Sequence, residues 1–334
     1  MQNIETVSII GGGAWGRAVA SLLACKVRTL QIIASDSKRR HQEMVSLLNR
    51  YSNITCTSKI DVVTVNSDVI VVATPAQELA NVIEQVNTCI NQCEPGYFVN
   101  RKMCFVITSK GIDCKRNLLM SQVIEQDLTD QIDYEVALLA GPNFAHEVFN
   151  SYLSLGDVAT KDSEVGAALV KLFSSEAYIA SYTSDIVGVQ LCSALKNVYA
   201  IIFGIAVGCG IAKNTHSALI VRALGEMQHI LSVMGGDIST VMSPSGIGDF
   251  ILTVNNSESR NMRFGLAIAK GMDIQDELDK ATVEGYYTTF SIYKMCLQKG
   301  IDMPIISFLY DILYNKKYSN IDGADLLSLV CGVI

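Results

Sequence analysis

Lys196 and Asn197 stand side by side in the middle of Ile186–Gly208, a run of 23 residues that is otherwise almost wholly apolar. A fully buried ammonium without a partner costs several kcal/mol or gives up its proton. A lysine so placed has two readings. Either its stem packs on neighbours while its head reaches water, or it carries a proton in a reaction. A second group lies at Ser259-Arg260-Asn261. Ser259 has the type and position to cap the helical stretch containing Phe264-Gly265-Leu266-Ala267-Ile268, which would put Arg260 and Asn261 in its first turn. A cation at a helix N-terminus opposes the dipole unless a bound anion offsets it. A guanidinium fork and free backbone N–H groups on one spot form a phosphate site; the alternative is an exposed charge pair with Glu258. Lys110, in Ser109-Lys110-Gly111, adds a cation. Asp249, in Gly248-Asp249 just ahead of Phe250-Ile251-Leu252-Thr253, adds a carboxylate.

The elements that must position these groups differ between the two halves of the chain. Thr6–Ile10 is a short β-branched run feeding Gly11-Gly12-Gly13-Ala14-Trp15-Gly16, after which the period becomes helical. Strand, G-x-G-x-x-G and helix in that order bring a pyrophosphate onto the helix N-terminus. The next run, Leu30–Ala34, ends at Ser35-Asp36, and Asp36 lies 20 residues after Gly16, where an acid bonds the ribose diol of NAD. Ser37, Lys38, Arg39 and Arg40 follow at once and could hold the 2′-phosphate of NADP, so NAD and NADP both stay open. Three further apolar runs, Asp68–Ala73, Met103–Thr108 and Val136–Ala140, end at Thr74-Pro75, Ser109-Lys110-Gly111 and Gly141-Pro142-Asn143. Five such strands predict an α/β fold with a doubly wound, Rossmann-type parallel sheet, its ligands at the carboxyl ends where Lys110 stands. Beyond Asp185 helical periods take over. The chain is therefore expected to divide into a dinucleotide-binding domain, 1–185, and an all-α substrate-binding domain, 186–334, with the ligand cleft between them.

Composition narrows the classes. A length of 334 residues suits about two domains, and 49% hydrophobic with 18% charged residues is a globular balance. A net charge of -7 without a basic tail argues against nucleic acid as a partner. The ten cysteines are scattered, with Cys89 and Cys93 the nearest pair, which suits neither a zinc site nor a disulfide framework and points to a reducing cytoplasm. His41, His146, His216 and His229 have no paired spacing, and no metal is expected. The opening Met1-Gln2-Asn3-Ile4-Glu5 lacks the basic and apolar regions of a signal peptide. Ile186–Gly208 is long enough to cross a bilayer, yet Gln190, Lys196 and Asn197 in its interior point to a buried helix and no stable membrane span.

Seven segments carry a resemblance over nearly the whole chain: Gly11 to Gly16; Ser109-Lys110-Gly111; Ala140-Gly141-Pro142-Asn143-Phe144-Ala145 with Glu147; Gly188-Val189-Gln190-Leu191 with Leu195-Lys196-Asn197-Val198; Gly248-Asp249; Ser259-Arg260-Asn261; and Val283-Glu284-Gly285-Tyr286. In this order they resemble the NAD(P)-dependent sn-glycerol-3-phosphate dehydrogenase family. The resemblance implies reversible hydride transfer between NAD(P)H and dihydroxyacetone phosphate, giving the sn-glycerol 3-phosphate used in glycerophospholipid synthesis. It makes Lys196 the proton acceptor, with Lys110 and Asp249 in the catalytic group. The small phosphorylated substrate would meet Lys110, Gly141, Asn143, Asn197, Asp249, Thr253, Ser259, Arg260 and Asn261, with Arg260 and Asn261 on its phosphate. The dinucleotide would meet Gly11, Gly13, Ala14, Trp15, Gly16, Ser35, Asp36, Pro75, Lys110, Ala145, Arg260 and Glu284.

The sequence departs from the family pattern at Asn143, where Ser or Thr is usual, at Ala14, often Ser or Asn, and at Ser35, commonly basic. The expected assembly is a homodimer. Two other readings stand beside this one. A β-hydroxyacid dehydrogenase of related architecture would need no phosphate site at Arg260, and a non-catalytic dinucleotide-sensing module would leave Lys110, Lys196 and Asp249 without a task.

Overall fold

Runs of valine and isoleucine bounded by glycine and polar turns build the first of two compact units, Met1–Ser109 with Met120–Ile186; the second comprises Lys110–Leu119 with Val187–Ile334. The computed structural model describes residues 3–35, 44–45, 47–94, 96–99, 101–317 and 322–331.

The strands are β1 (Thr6–Ile10), β2 (Thr29–Ile33), β3 (Ile54–Thr57), β4 (Val69–Val72) and β5 (Lys102–Ile107), then β6 (Ile112–Asp113) and β7 (Leu118–Leu119), then β8 (Asp133–Ala140), β9 (Ser154–Thr160) and β10 (Tyr178–Thr183). Those of the first unit form one sheet of eight in the order β10-β9-β8-β5-β4-β1-β2-β3. From β3 across to β8 every pairing is parallel, so the carboxyl ends line one edge; Ile10 sits opposite both Ile33 and Val72. The order reverses between β1 and β4, the switch point at which doubly wound sheets take their ligands. All four residues of β4 are buried, because helices cover both faces and the strand can be apolar throughout. These helices include α1 (Ala14–Leu23), α2 (Val62–Val65), α3 (Leu79–Ile90), α4 (Met120–Asp127), α5 (Ala145–Phe149) and α6 (Ser163–Phe173).

The sheet holds three strands more than the apolar runs predict, and it is not parallel throughout, since β9 runs against β8. β3 is only four residues long, and β10 (Tyr-Ile-Ala-Ser-Tyr-Thr) alternates buried with exposed positions at a sheet edge. Neither makes the unbroken apolar run by which the inner strands announce themselves.

The second unit is built round α7 (Ile186–Gly208), which the other helices enclose: α8 (Lys213–Met234), α9 (Asp249–Val254), α10 (Arg260–Ala269), α11 (Ile274–Lys280), α12 (Glu284–Gln298), α13 (Pro304–Leu313) and α14 (Gly323–Cys331). Among the described residues α7 alone is long and apolar enough to cross a membrane, and 89% of that stretch is buried inside the protein. A helix apolar on every side needs neighbours on every side. The antiparallel pair β6–β7 supplies Ile112 and Leu119 to the same apolar cluster, so Lys110 travels with the helices.

Glycines set the closest crossing. A Cβ added at Gly204 would lie 2.1 Å from the Met262 carbonyl oxygen, and one at Gly265 would lie 2.0 Å from the Ile201 carbonyl oxygen. Helices α7 and α10 therefore touch backbone to backbone. This contact fixes where Arg260 and Asn261, at the start of α10, stand relative to Lys196. Gly265→Val should lower the unfolding free energy by about 3 kcal/mol or more, as overpacking against rigid backbone does. Urea denaturation checks it, and a change within about 0.5 kcal/mol would show that the crossing is loose.

Candidate active site

In the first unit the glycine-rich turn has the shape that close approach of an anion requires. Gly11 has φ of +121°, and a side chain there would strike the Ala73 carbonyl oxygen at 2.5 Å. At Gly16 a Cβ would lie 1.8 Å from the Gly11 carbonyl oxygen, so helix and turn pack in contact. Gly13 is the N-cap of α1 and supplies no side-chain cap, while the space about its Cα is open and the helix's first turn carries no acid. The amides of that turn can therefore receive a pyrophosphate. Trp15 Nε1 and Thr74 Oγ1 are buried with no hydrogen-bond partner among the described residues. The cradle fits a dinucleotide.

Ala14 is exposed on the first residue of α1. Ser35 and Pro75 are exposed just beyond β2 and β4, and Ala145 opens α5. Asp36 and the Ser37–Arg40 cluster lie outside the described residues. Gly141 is pressed on the Leu155 backbone, and the Asn143 amide donates to the Tyr178 hydroxyl at 3.1 Å. These two belong to the first unit.

That unit brings Lys110, Lys196, Asp249 and Thr253 into one cluster. Lys196 Nζ donates to Asp249 Oδ1 at 2.5 Å and to Thr253 Oγ1 at 3.0 Å, and Lys110 Nζ donates to Asp249 Oδ2 at 2.8 Å. Thr253 in turn donates to the Asp249 carbonyl oxygen at 2.6 Å, which locks its hydroxyl as an acceptor toward Lys196. Asp249 begins α9 directly after the π-turn Pro244–Gly248, whose amide at Gly246 bonds Ser243 Oγ; the turn and the helix start together aim the carboxylate. The side chains of Lys196 and Asp249 are 8% and 2% exposed, that of Lys110 21%. Burial pulls the Lys196 ammonium down to about 8, against the upward pull of Asp249 and with a further downward push from Lys110. An amine so poised can give or take a proton near neutral pH. An ammonium has three N–H groups, and Asp249 and Thr253 engage two of them.

Two further predicted residues, Asn197 and Asn261, are joined by a relay of amides. Asn197 Nδ2 donates to the Lys110 carbonyl oxygen at 3.0 Å, Asn261 Nδ2 to Asn197 Oδ1 at 2.9 Å, and the Gly285 amide to Asn261 Oδ1 at 2.9 Å. Glu284, immediately before Gly285, opens α12. Ser259 Oγ caps α10 by accepting from the Met262 amide at 3.3 Å, as its spacing predicts, and Arg260 is exposed on the first turn. The role of Gly285 in this relay is absent from the sequence reading. Its partner lies 24 residues away, and nothing local to Gly285 marks a bond of that reach.

Removing the carboxylate leaves two ammonium groups facing each other. Asp249→Asn should cost about 3–5 kcal/mol in unfolding free energy, the usual result of breaking a buried pair. The Asp249→Asn, Lys196→Met double variant should recover a large part of that loss. Equal stability of single and double variants in urea would show that the pair is not coupled.

Residues 6–166 match the family described as NAD-dependent glycerol-3-phosphate dehydrogenase N-terminus, and residues 185–321 match its C-terminus. The glycerol-3-phosphate dehydrogenase [NAD(P)+] of Francisella philomiragia is 32% identical over 335 residues, covering 97% of this chain and 96% of that protein. The enzyme of the same name from Halothermothrix orenii is 31% identical over 94% of this chain and 92% of its own length. A crystal structure of glycerol-3-phosphate dehydrogenase from Coxiella burnetii superposes with a TM-score of 0.83 at 26% identity, over 98% of each chain. D-mandelate dehydrogenase shares the fold alone, at 12% identity and a TM-score of 0.55. With both family regions matched in order and relatives above 30% identity along almost the full length, the chain belongs to the NAD(P)-dependent glycerol-3-phosphate dehydrogenase family.

Proposed function

We propose that this protein interconverts dihydroxyacetone phosphate and sn-glycerol 3-phosphate with NAD(P)H, with Lys196 as the proton carrier. The observation that carries the reading is the buried Lys196–Asp249–Lys110 cluster with Thr253. The Gly11–Gly16 turn would hold NAD(P)H, in either its NAD or its NADP form, which would supply the hydride when bound. As hydride reaches C2 the carbonyl oxygen takes on a full negative charge. The third N–H of Lys196 is the donor for that oxygen, and the proton passes from Nζ as the charge develops. Asp249 steadies the ammonium beforehand, and Lys110 keeps the carboxylate from over-stabilising it. In the reverse direction the neutral amine takes the proton from the C2 hydroxyl.

Arg260 and the first-turn amides of α10 bind the phosphate, supported by the Ser259 cap, which leaves Arg260 forward on an uncompensated helix start. Asn197 and Asn261 complete the substrate side, and Glu284 the cofactor side. The proposal extends to glycerophospholipid supply, to a cytoplasmic enzyme, in keeping with ten scattered cysteines, and to a homodimer that light scattering can test. The β-hydroxyacid alternative gives Arg260 no task, and a hydroxyacid panel run beside dihydroxyacetone phosphate separates the two.

Lys196→Ala should cut turnover by about 10²- to 10⁴-fold, the size of a lost general acid, while NADH fluorescence titration shows binding retained. Near-normal turnover would falsify the assignment. Arg260→Ala should raise KM for dihydroxyacetone phosphate by about 10- to 100-fold, the loss of charge-assisted bonds, with less effect on kcat. An unchanged KM removes Arg260 from the site. Ketone reduction needs the ammonium, so its kcat should fall as pH rises through about 8; oxidation needs the amine and should rise through the same region. Parallel profiles for the two directions would contradict Lys196 as the shared proton carrier.

A further inference from the structure

Outside the cluster, one buried acid that the reaction does not use is Glu226, midway along α8 and 7% exposed. Its Oε2 accepts from the Ile305 amide at 2.8 Å, and its Oε1 accepts from the Ile306 amide at 3.2 Å and from the Tyr199 hydroxyl at 3.3 Å. The first two bonds serve α13. That helix opens with Pro304, and its N-cap, Met303, makes no side-chain cap bond, so a carboxylate from another helix satisfies its orphan amides.

The third bond has no such local purpose. Tyr199 is fully buried on α7, one turn after Lys196, and its ring meets Phe250 edge to face, with centroids 6.0 Å apart and planes at 71°. Phe250 directly follows Asp249 and is fully buried as well. Phe203, a further turn along α7, also meets Phe250 edge to face, with centroids 5.8 Å apart. The Tyr199 ring is therefore wedged between the two helices that carry Lys196 and Asp249. Phenylalanine would fill the same space. A hydroxyl in a dry core is a liability unless bonded, and here it is bonded to a carboxylate that is itself expensive to bury.

We propose that Glu226 is a positioning residue for the catalytic pair: by holding the Tyr199 hydroxyl from outside the site, it fixes the separation of Lys196 and Asp249. This rests on the reading of Lys196 as the proton carrier. The titratable groups facing Glu226 are Tyr199 from α7, Cys296 from α12 and Asp302 ahead of α13, and Cys192 of α7 faces Tyr199. Arg222 and His229 of its own helix line a cavity of about 470 Å³ with it, and α14 adds only the apolar Leu329 there. Burial pushes the Glu226 carboxyl up to about 7, and the three donated bonds pull it back. The groups facing Lys196 are Asp249 and Lys110.

Tyr199→Phe and Glu226→Gln test it, with kcat for dihydroxyacetone phosphate reduction followed from pH 6 to 10 and Lys196→Ala run beside them. Loosening the pair weakens the upward pull of Asp249 on Lys196. The alkaline midpoint of kcat should then move to lower pH by about one unit or more for the first ångström of added separation, from Coulomb's law at an effective dielectric near 20. In the same variants kcat should drop by about 10- to 100-fold, as small misplacements do, with KM for NADH unchanged. A variant that melts earlier but keeps the wild-type midpoint and kcat shows that Glu226 and Tyr199 serve packing alone, and overturns the proposal. Should Tyr199→Phe fail to fold, Glu226→Gln carries the same comparison. Full activity in Lys196→Ala would instead remove the underlying reading, a result distinct from an unmoved midpoint in the Glu226 and Tyr199 variants.

Discussion

A positive charge inside a helix that water cannot reach has to be matched by a carboxylate, and Lys196 with Asp249 is that match. The balance is uneven. The Lys196 ammonium falls from its ordinary 10.5 to about 8, which corresponds to about 3 kcal/mol against the charged form even with Asp249 in place. Desolvation therefore outweighs the ion pair. The folded state prefers the neutral amine, so the stability this preference lends is complete above the unfolded value of 10.5 and lost as pH falls through about 8. Near neutral pH, Lys196 adds nothing to folding and keeps a proton at its most transferable. A segment placed there for stability alone would carry leucine.

The same burial dictates the architecture around it. Because the middle of α7 is enclosed, Lys196 and Asn197 need partners, and these come from far along the chain: Asp249 is 53 residues on, Asn261 is 64 from Asn197. Such long-range bonds hold their geometry only if the helices that carry them cannot slide. The Gly204–Gly265 crossing removes that freedom for α10, and the relay from Gly285 through Asn261 and Asn197 to Lys110 removes it for the start of α12 and for the short β6–β7 excursion. That excursion explains why Lys110, which follows a strand of the sheet, is grouped with the helices.

Much of this was legible in the residues, and the limits follow from the kind of signal each element leaves. Inner strands such as β4 are apolar along their whole length and could be read; β3 and β10 are short or half-exposed and could not. The lysine in the apolar run stood out because its residue type contradicts its surroundings, and the Ser259 cap because capping is a local rule that spacing obeys. Which carboxylate would pair with Lys196 was not a matter of spacing; resemblance to a family named Asp249, and tertiary packing supplied the bond. Glu226 left no trace at all, since an acid on a mixed helix such as α8 looks like a solvated one until the neighbouring helices close over it. The choice between NAD and NADP rests on Asp36 to Arg40, outside the described residues.

The two units solve their binding problems in different currencies. The glycine turn offers amides and open space, so its backbone geometry suits a pyrophosphate. The helical unit offers side chains, and there charge arithmetic decides the ligand. Lys110 and Lys196 share the single carboxylate of Asp249, so the cluster carries one net positive charge while Lys196 is protonated. Arg260 adds another beside an uncompensated helix start. A monoanionic hydroxyacid would answer only one of these two positive regions. In the proposed function a phosphorylated ketone answers both, its dianion at Arg260 and its developing oxyanion at Lys196. This charge pattern supports the proposed phosphorylated ketone over a plain acid.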